Sequence, residues 1–161
     1  MPKIDLTKVP VKNGSSYPAP YAARMGDRAW QELGDAGGLT QFGASMMIMP
    51  PGSVSSMRHW HTGEDEFVMI TQGKLVLVQD EGETIVKPGD CVAFPAGDTN
   101  GHHFINRSAS EARFLVIGTR AKKDTCTYSD VDMKIELVNG KGKYTRKDGS
   151  AMPTPSTEET K

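Results

Sequence analysis

The chain has 161 residues, a formal net charge of −1 and 37% hydrophobic residues. That length suits one domain with a sizeable core, and the near-neutral charge argues against nucleic acid or an anionic membrane as a partner. No apolar run approaches the ~20 residues needed to span a bilayer, Met1 to Pro20 carries no apolar signal segment, and two cysteines, Cys91 and Cys126, without metal or redox spacing suit a cytoplasmic protein with free thiols.

In chain order, Pro2, Pro10, Pro18 and Pro20 exclude a long helix and predict an extended N-terminal arm. Gly34 to Gly38 reads as a turn. From Gln41, short apolar runs alternate with turn signals about every 8–12 residues, the pattern of a β-sandwich or barrel. The expected strands are 42–49, 55–61, 66–70, 74–79, 84–86, 91–94, 101–105 and 113–118. Residues 124–132 read as polar and irregular. Residues 133–138 and 143–146 predict a hairpin turning at Asn139-Gly140. The tail from Ser150 to Lys161 is rich in Ser, Thr, Glu and Pro and is expected to be mobile. The organisation expected is a lead-in over 1–40, a barrel over 41–120, an extension with hairpin over 121–149 and a flexible tail over 150–161.

The chemistry is concentrated in four histidines that form two pairs. His59 and His61 are one residue apart, so on a strand both imidazoles face the same way. Glu66 returns from the next strand after a turn over 62–65. Two imidazoles and a carboxylate on one face suit a divalent transition metal. Glu64 and Asp65 are rival carboxylates better placed in the turn. The second pair is His102-His103, of which alternation admits only one to the same face.

Gly52, His59, His61, Glu66 and Gly73 resemble the first motif of the cupins, and Gly89, Pro95, Gly97, His102 and Asn106 resemble the second. The flanks, Leu33 to Gly43, Tyr128 to Asp132 and Arg146 to Gly149, resemble a group of stand-alone bacterial cupins. The resemblance implies an all-β double-stranded β-helix, a jelly-roll barrel, with a metal held by His59, His61, Glu66 and His102. This sequence has six residues between Gly52 and His59, against the usual five, and four between Gly97 and His102, against the usual two. The longer second spacing leaves the choice between His102 and His103 open. The distance from His102 to Asn106 favours His102, with Phe104 then sharing its inward face.

Arg58 and Trp60 are expected on the outer face. Met46, Met47, Met49, Met57 and Met69 read as barrel filling, with Met57 inward beside the ligands. Lys141, Lys143, Arg146 and Lys147 read as a solvated hairpin tip, not a nucleic-acid site. Tyr128, Asp130 and Asp132 are acid–base candidates only if their segment closes over the barrel mouth. The expectation is a homodimeric metal-binding protein that takes a small polar or acidic molecule, such as an organic acid, in the barrel. Fe, Mn, Ni, Zn and Cu all suit the ligand types. An isomerase, lyase or dioxygenase and a non-catalytic binding or sensing barrel both fit.

Overall fold

The computed structural model describes residues 3–19 and 21–152. The expected tail lies outside the described residues from 153 onward. The strands are β1 (Lys12–Asn13), β2 (Ala29–Glu32), β3 (Phe42–Met49), β4 (His59–His61), β5 (Glu66–Gln72), β6 (Leu75–Gln79), β7 (Gly82–Val86), β8 (Cys91–Phe94), β9 (His103–Ile105), β10 (Ala112–Thr119), β11 (Lys123–Tyr128), β12 (Met133–Val138) and β13 (Lys141–Thr145). A single helical turn, α1 (Leu33–Ala36), stands where the sequence reads as a turn. Two short 3-10 turns, Leu6–Lys8 and Tyr21–Met25, interrupt the arm.

Antiparallel pairing orders β1, β2, β3, β10, β5 and β8 into one sheet, β13, β12, β11 and β4 into a second, and β7, β6 and β9 into a third. Together they form the all-β double-stranded β-helix expected. Alternation explains the layering. On β5, Val68 and Ile70 are buried while Phe67 and Met69 are exposed. The inward set from β3, β5, β6, β10 and their neighbours closes a core of Met49, Val68, Ile70, Leu75, Leu77, Phe104 and Phe114. Each fully buried side chain of this kind stabilises by about 1.5–3 kcal/mol relative to exposure. Core filling stops at Val68 on β5 and Phe104 on β9; the next inward positions, Glu66 and His102, are polar.

Glycine is required at two turns. Gly73 sits at φ 71°, and a Cβ there would lie 2.7 Å from the Glu111 carbonyl oxygen. At the hairpin, Asn139 (φ 49°) and Gly140 (φ 76°) supply the left-handed pair of a two-residue turn. The hairpin is therefore as expected, although its second strand starts at Lys141, two residues early.

Two strand expectations need correction. Residues 55–58 bend, and only His59–His61 pairs as a strand. Residues 123–128 are not irregular: they form β11, which pairs with β4 and with β12. Its inward residues are Asp124, Cys126 and Tyr128, all buried. Their polar character hides an ordinary alternation from a hydrophobic reading. The two sheets also cross the expected segment bounds: β2 in the lead-in pairs with β3, and β11 in the extension pairs with β4.

A second cluster lies beside the barrel. Met25, Met57, Cys126, Tyr128 and Met133 are buried, and Tyr17, Tyr21 and Tyr144 pack against them. Tyr17 meets Tyr128 edge-on at 5.4 Å between ring centroids. This cluster fixes the N-terminal arm and the C-terminal hairpin to the same wall.

Candidate metal centre

β4 places His59 and His61 on one face, as their spacing requires. His59 then pairs with His102 across an isolated bridge, exchanging both backbone bonds at 3.1 and 2.9 Å. Directly opposed residues present their side chains on one face. The two rings accordingly stand 4.7 Å apart between centroids. Glu66 opens β5 and extends its carboxylate between them. Its Oε2 lies 2.9 Å from His102 Nε2, 3.8 Å from His59 Nε2 and 4.0 Å from His61 Nε2. The structure thus gathers His59, His61, Glu66 and His102 around one carboxylate oxygen.

His103 turns away. Its Nδ1 donates to the Ser56 carbonyl at 3.0 Å. Asn106, fully buried, donates to the Met49 and Ser110 carbonyls at 2.7 and 2.8 Å and serves the fold. Asp65 accepts the Ala96 N–H, and Glu64 accepts the Ala121 N–H. Arg58 faces out and binds Asp130 at 2.6 Å and also Asp80. Asp130 is therefore a partner of Arg58, and Asp132 accepts the Lys147 N–H. Met57 is buried in the second cluster, and its carbonyl oxygen accepts from His59 Nδ1 at 2.9 Å.

The remaining ring nitrogens are positioned. His61 Nδ1 lies 2.6 Å from Asp124 Oδ2, while the other oxygen of Asp124 accepts the Gly63 N–H at 2.8 Å. Both Nδ1 atoms of the β4 pair are thus engaged as donors, which turns both Nε2 lone pairs toward Glu66. His102 is held differently. Its ring stacks on Phe94, 3.4 Å between centroids and 3° from parallel, and its buried Nδ1 has no hydrogen-bond partner. Burial pushes His59 down to about 3, so it rests neutral. Burial opposes the charge on Glu66, but the His102 hydrogen bond and the neighbouring imidazoles outweigh it and hold the carboxyl well below its ordinary range. Neutral imidazole and ionised carboxylate are the forms that bind a metal.

The donor set fits a first-row divalent ion. Two donors bound to one ion at ~2.1 Å each stand no more than ~4.2 Å apart. All three Nε2 atoms meet that limit from Glu66 Oε2. The ligating atoms of His59, Glu66 and His102 lie within 4.8 Å of one another as one group; His61 stands outside that group, its Nε2 4.0 Å from Glu66 Oε2. The cluster opens on a cavity of about 210 Å³ lined by Arg28, Met47, Ser55, Ser56, His59, Glu66, Val68, His102, Phe104, Phe114 and Val116. At ~30 Å³ per water this holds roughly seven waters, the scale of a small metabolite. A larger depression of about 450 Å³ lies at the outer sheet face between Phe42, Phe67 and Ile117; none of the histidines lines it.

Three residues near the cluster carry no signal in the one-dimensional pattern: Asp124 and Cys126 on β11, and Arg28 before β2. The alternation of β11 behind β4 was the available clue for the first two. Cys126 is cross-strand neighbour to His61, and Tyr128 to His59. Burial pushes both the Cys126 thiol and the Tyr128 phenol far up. Neither is therefore poised to ionise.

A jelly roll with inward histidines and a glutamate at one end of the barrel defines a class, and comparison with known proteins agrees with it. The cupin domain model matches residues 45–118. A cupin-superfamily sugar phosphate isomerase from Silicibacter pomeroyi is 51% identical, with a TM-score of 0.92 over 94% of this chain and 97% of that one. The chain belongs to the cupin superfamily. A protein from Acidithiobacillus ferrooxidans, provisionally named a sugar phosphate isomerase, is 28% identical with a TM-score of 0.72 over 79% of this chain and 81% of that one. The polyketide cyclase RemF from Streptomyces resistomycificus, at 21% identity and a TM-score of 0.60 over 74% of this chain and 79% of that one, shares the fold. No curated protein matches the sequence. Among the described residues no helix is long and apolar enough to cross a membrane.

Proposed function

We propose that the chain binds one divalent first-row metal through His59, His61, Glu66 and His102 and uses the adjoining cavity to isomerise a small phosphorylated or otherwise acidic sugar. The convergence of three histidine Nε2 atoms on Glu66 Oε2 at the cavity wall carries this reading. When bound, the metal supplies Lewis acidity to a carbonyl or hydroxyl oxygen of the ligand. Met57 and Asp124 orient the β4 imidazoles, and Phe94 holds the plane of His102. Val68, Phe104, Phe114 and Val116 give the cavity an apolar floor that excludes bulk water. The similarity to a sugar phosphate isomerase supports the substrate class. The test is to incubate metal-loaded protein with aldose phosphates in D2O and follow the ketose product and carbon-bound deuterium by NMR.

A second reading, a non-catalytic ligand-binding barrel, is favoured by one observation. Beyond the metal-type residues, the cavity lining offers only Arg28, Ser55 and Ser56 as polar side chains, none of them an ordinary general base. Binding without turnover in the same experiment selects it.

We also propose a homodimer working in the cytoplasm. On the outer face of the large sheet, Ala44, Met46, Phe67, Met69, Cys91, Ala93, Leu115 and Ile117 align in two apolar rows across β3, β10, β5 and β8. Phe67 and Met69 are 40% and 38% exposed. Contiguous exposed apolar surface of this kind favours pairing with another copy.

A further inference from the structure

We infer that Arg28 is the anchor for an oxyanion carried by the ligand, a role that rests on the reading of the cavity given above. Arg28 leaves the turn at Gly26 just before β2 and lines the same cavity as His59, Glu66 and His102. Its side chain is partly buried, and its Nε is buried without a hydrogen-bond partner. Arg58, Arg107, Arg113, Arg120 and Arg146 each have a carboxylate partner; among the described residues Arg28 and the exposed Arg24 have none within ion-pair distance, and of these two only Arg28 lines the cavity. A guanidinium withdrawn from water without a counter-charge is costly to hold. It is held by stacking. Its Cζ lies 5.9 Å from the Tyr17 ring centroid. Tyr17 is fixed in turn by its edge contact with Tyr128 and by accepting the Met57 N–H at 3.3 Å. The ring face backs the guanidinium on one side.

A planar fork of N–H donors matches a carboxylate or phosphate in two parallel bonds. The cavity thus brings a cation from the N-terminal arm, the histidine–glutamate cluster and apolar Met47, Val68 and Phe114 into one lining. The ligand that completes it has an oxyanion at one end and neutral oxygen functions at the other. Binding the anion supplies the counter-charge that Arg28 lacks. The arm therefore sets specificity for charged over neutral ligands.

The test is titration calorimetry on the full chain, metal-loaded and chelator-stripped, with glucose 6-phosphate, malonate and glucose as probes. Arg28→Met is expected to weaken the charged probes by roughly ten-fold or more, the scale of a lost charged hydrogen bond, and to leave glucose unchanged. Arg28→Lys keeps the charge without the fork and falls between; it also serves as the test if Arg28→Met melts early. Tighter binding of glucose 6-phosphate than malonate assigns the anchor to phosphate, and the reverse assigns it to carboxylate. Charged-probe binding that survives metal stripping but is lost in Arg28→Met supports the anchor even where the metal reading fails. A folded Arg28→Met that binds both charged probes as tightly as the wild type overturns the inference. So does a wild type that binds neither charged probe.

Discussion

His61 and Asp124 form the shortest histidine contact of the site: Nδ1 and Oδ2 are 2.6 Å apart, and the Asp124 side chain is wholly shielded from solvent. A carboxylate behind a metal-type histidine fixes its tautomer and raises its basicity. Asp124→Asn should therefore lower metal affinity by about 10–100-fold while leaving His59, His61, Glu66 and His102 in place. Competition against a fluorescent chelator measures it. Unchanged affinity in a folded variant would assign Asp124 to the Gly63 turn alone.

His102 and His103 should behave oppositely. His102→Ala removes a ring 2.9 Å from Glu66 and is expected to strip most of the metal. His103→Ala deletes only the bond to the Ser56 carbonyl, at a cost of about 0.5–1.5 kcal/mol in stability, and should keep the metal. Metal content after dialysis, with a melting curve for each variant, separates the two. Metal loss from His103→Ala alone would mean that the inward face is misassigned.

Both cysteines are free, Cys91 exposed and Cys126 buried, and burial raises the Cys126 thiol further from its reactive form. With the outer sheet face freed by Phe67→Asp, a thiol reagent at pH 8 should label one site per folded chain, at Cys91, and reach Cys126 only after unfolding. Peptide mapping of the label decides this. Rapid native labelling of Cys126 would show that the wall behind β4 opens readily.

The outer face predicts assembly. Phe67→Asp places a charge in the apolar row between Ala93 and Ile117. Light scattering should report a dimer for the wild type and a monomer for this variant, with metal content retained because the side chain points away from Glu66. A monomeric wild type would leave the two apolar rows without a role in self-association.

The site's core was legible because it is local. His59 and His61 share a face by strand geometry, and Glu66 follows after one short turn. Phe104, two positions past His102, is inward as alternation demands. The choice between His102 and His103 was not legible, since four residues intervene after Gly97 and shift the register by an amount no local rule fixes; the bridge between His59 and His102 settles which ring faces Glu66. Asp124 and Arg28 were invisible for a different reason. Asp124 lies 63 residues from its partner His61, and Arg28 meets the cavity only because β2 pairs with β3. Such contacts are properties of sheet order, which hydrophobic periodicity does not encode. The expected double-stranded β-helix emerged because its turns and alternation repeat along the chain, while β11 was missed because its buried face is built from Asp124, Cys126 and Tyr128.

His59, His61, Glu66 and His102 are proposed to hold one metal ion between them. Elemental analysis of protein purified without an affinity tag, before and after loading with Fe, Mn, Ni, Zn or Cu and removal of excess, tests it most directly. Close to one bound ion per chain is expected, lost in His59→Ala and in Glu66→Ala, with X-ray absorption placing nitrogen ligands at about 2.0–2.1 Å. Less than roughly a tenth of an equivalent, with no uptake of any of these metals by folded protein, would contradict it.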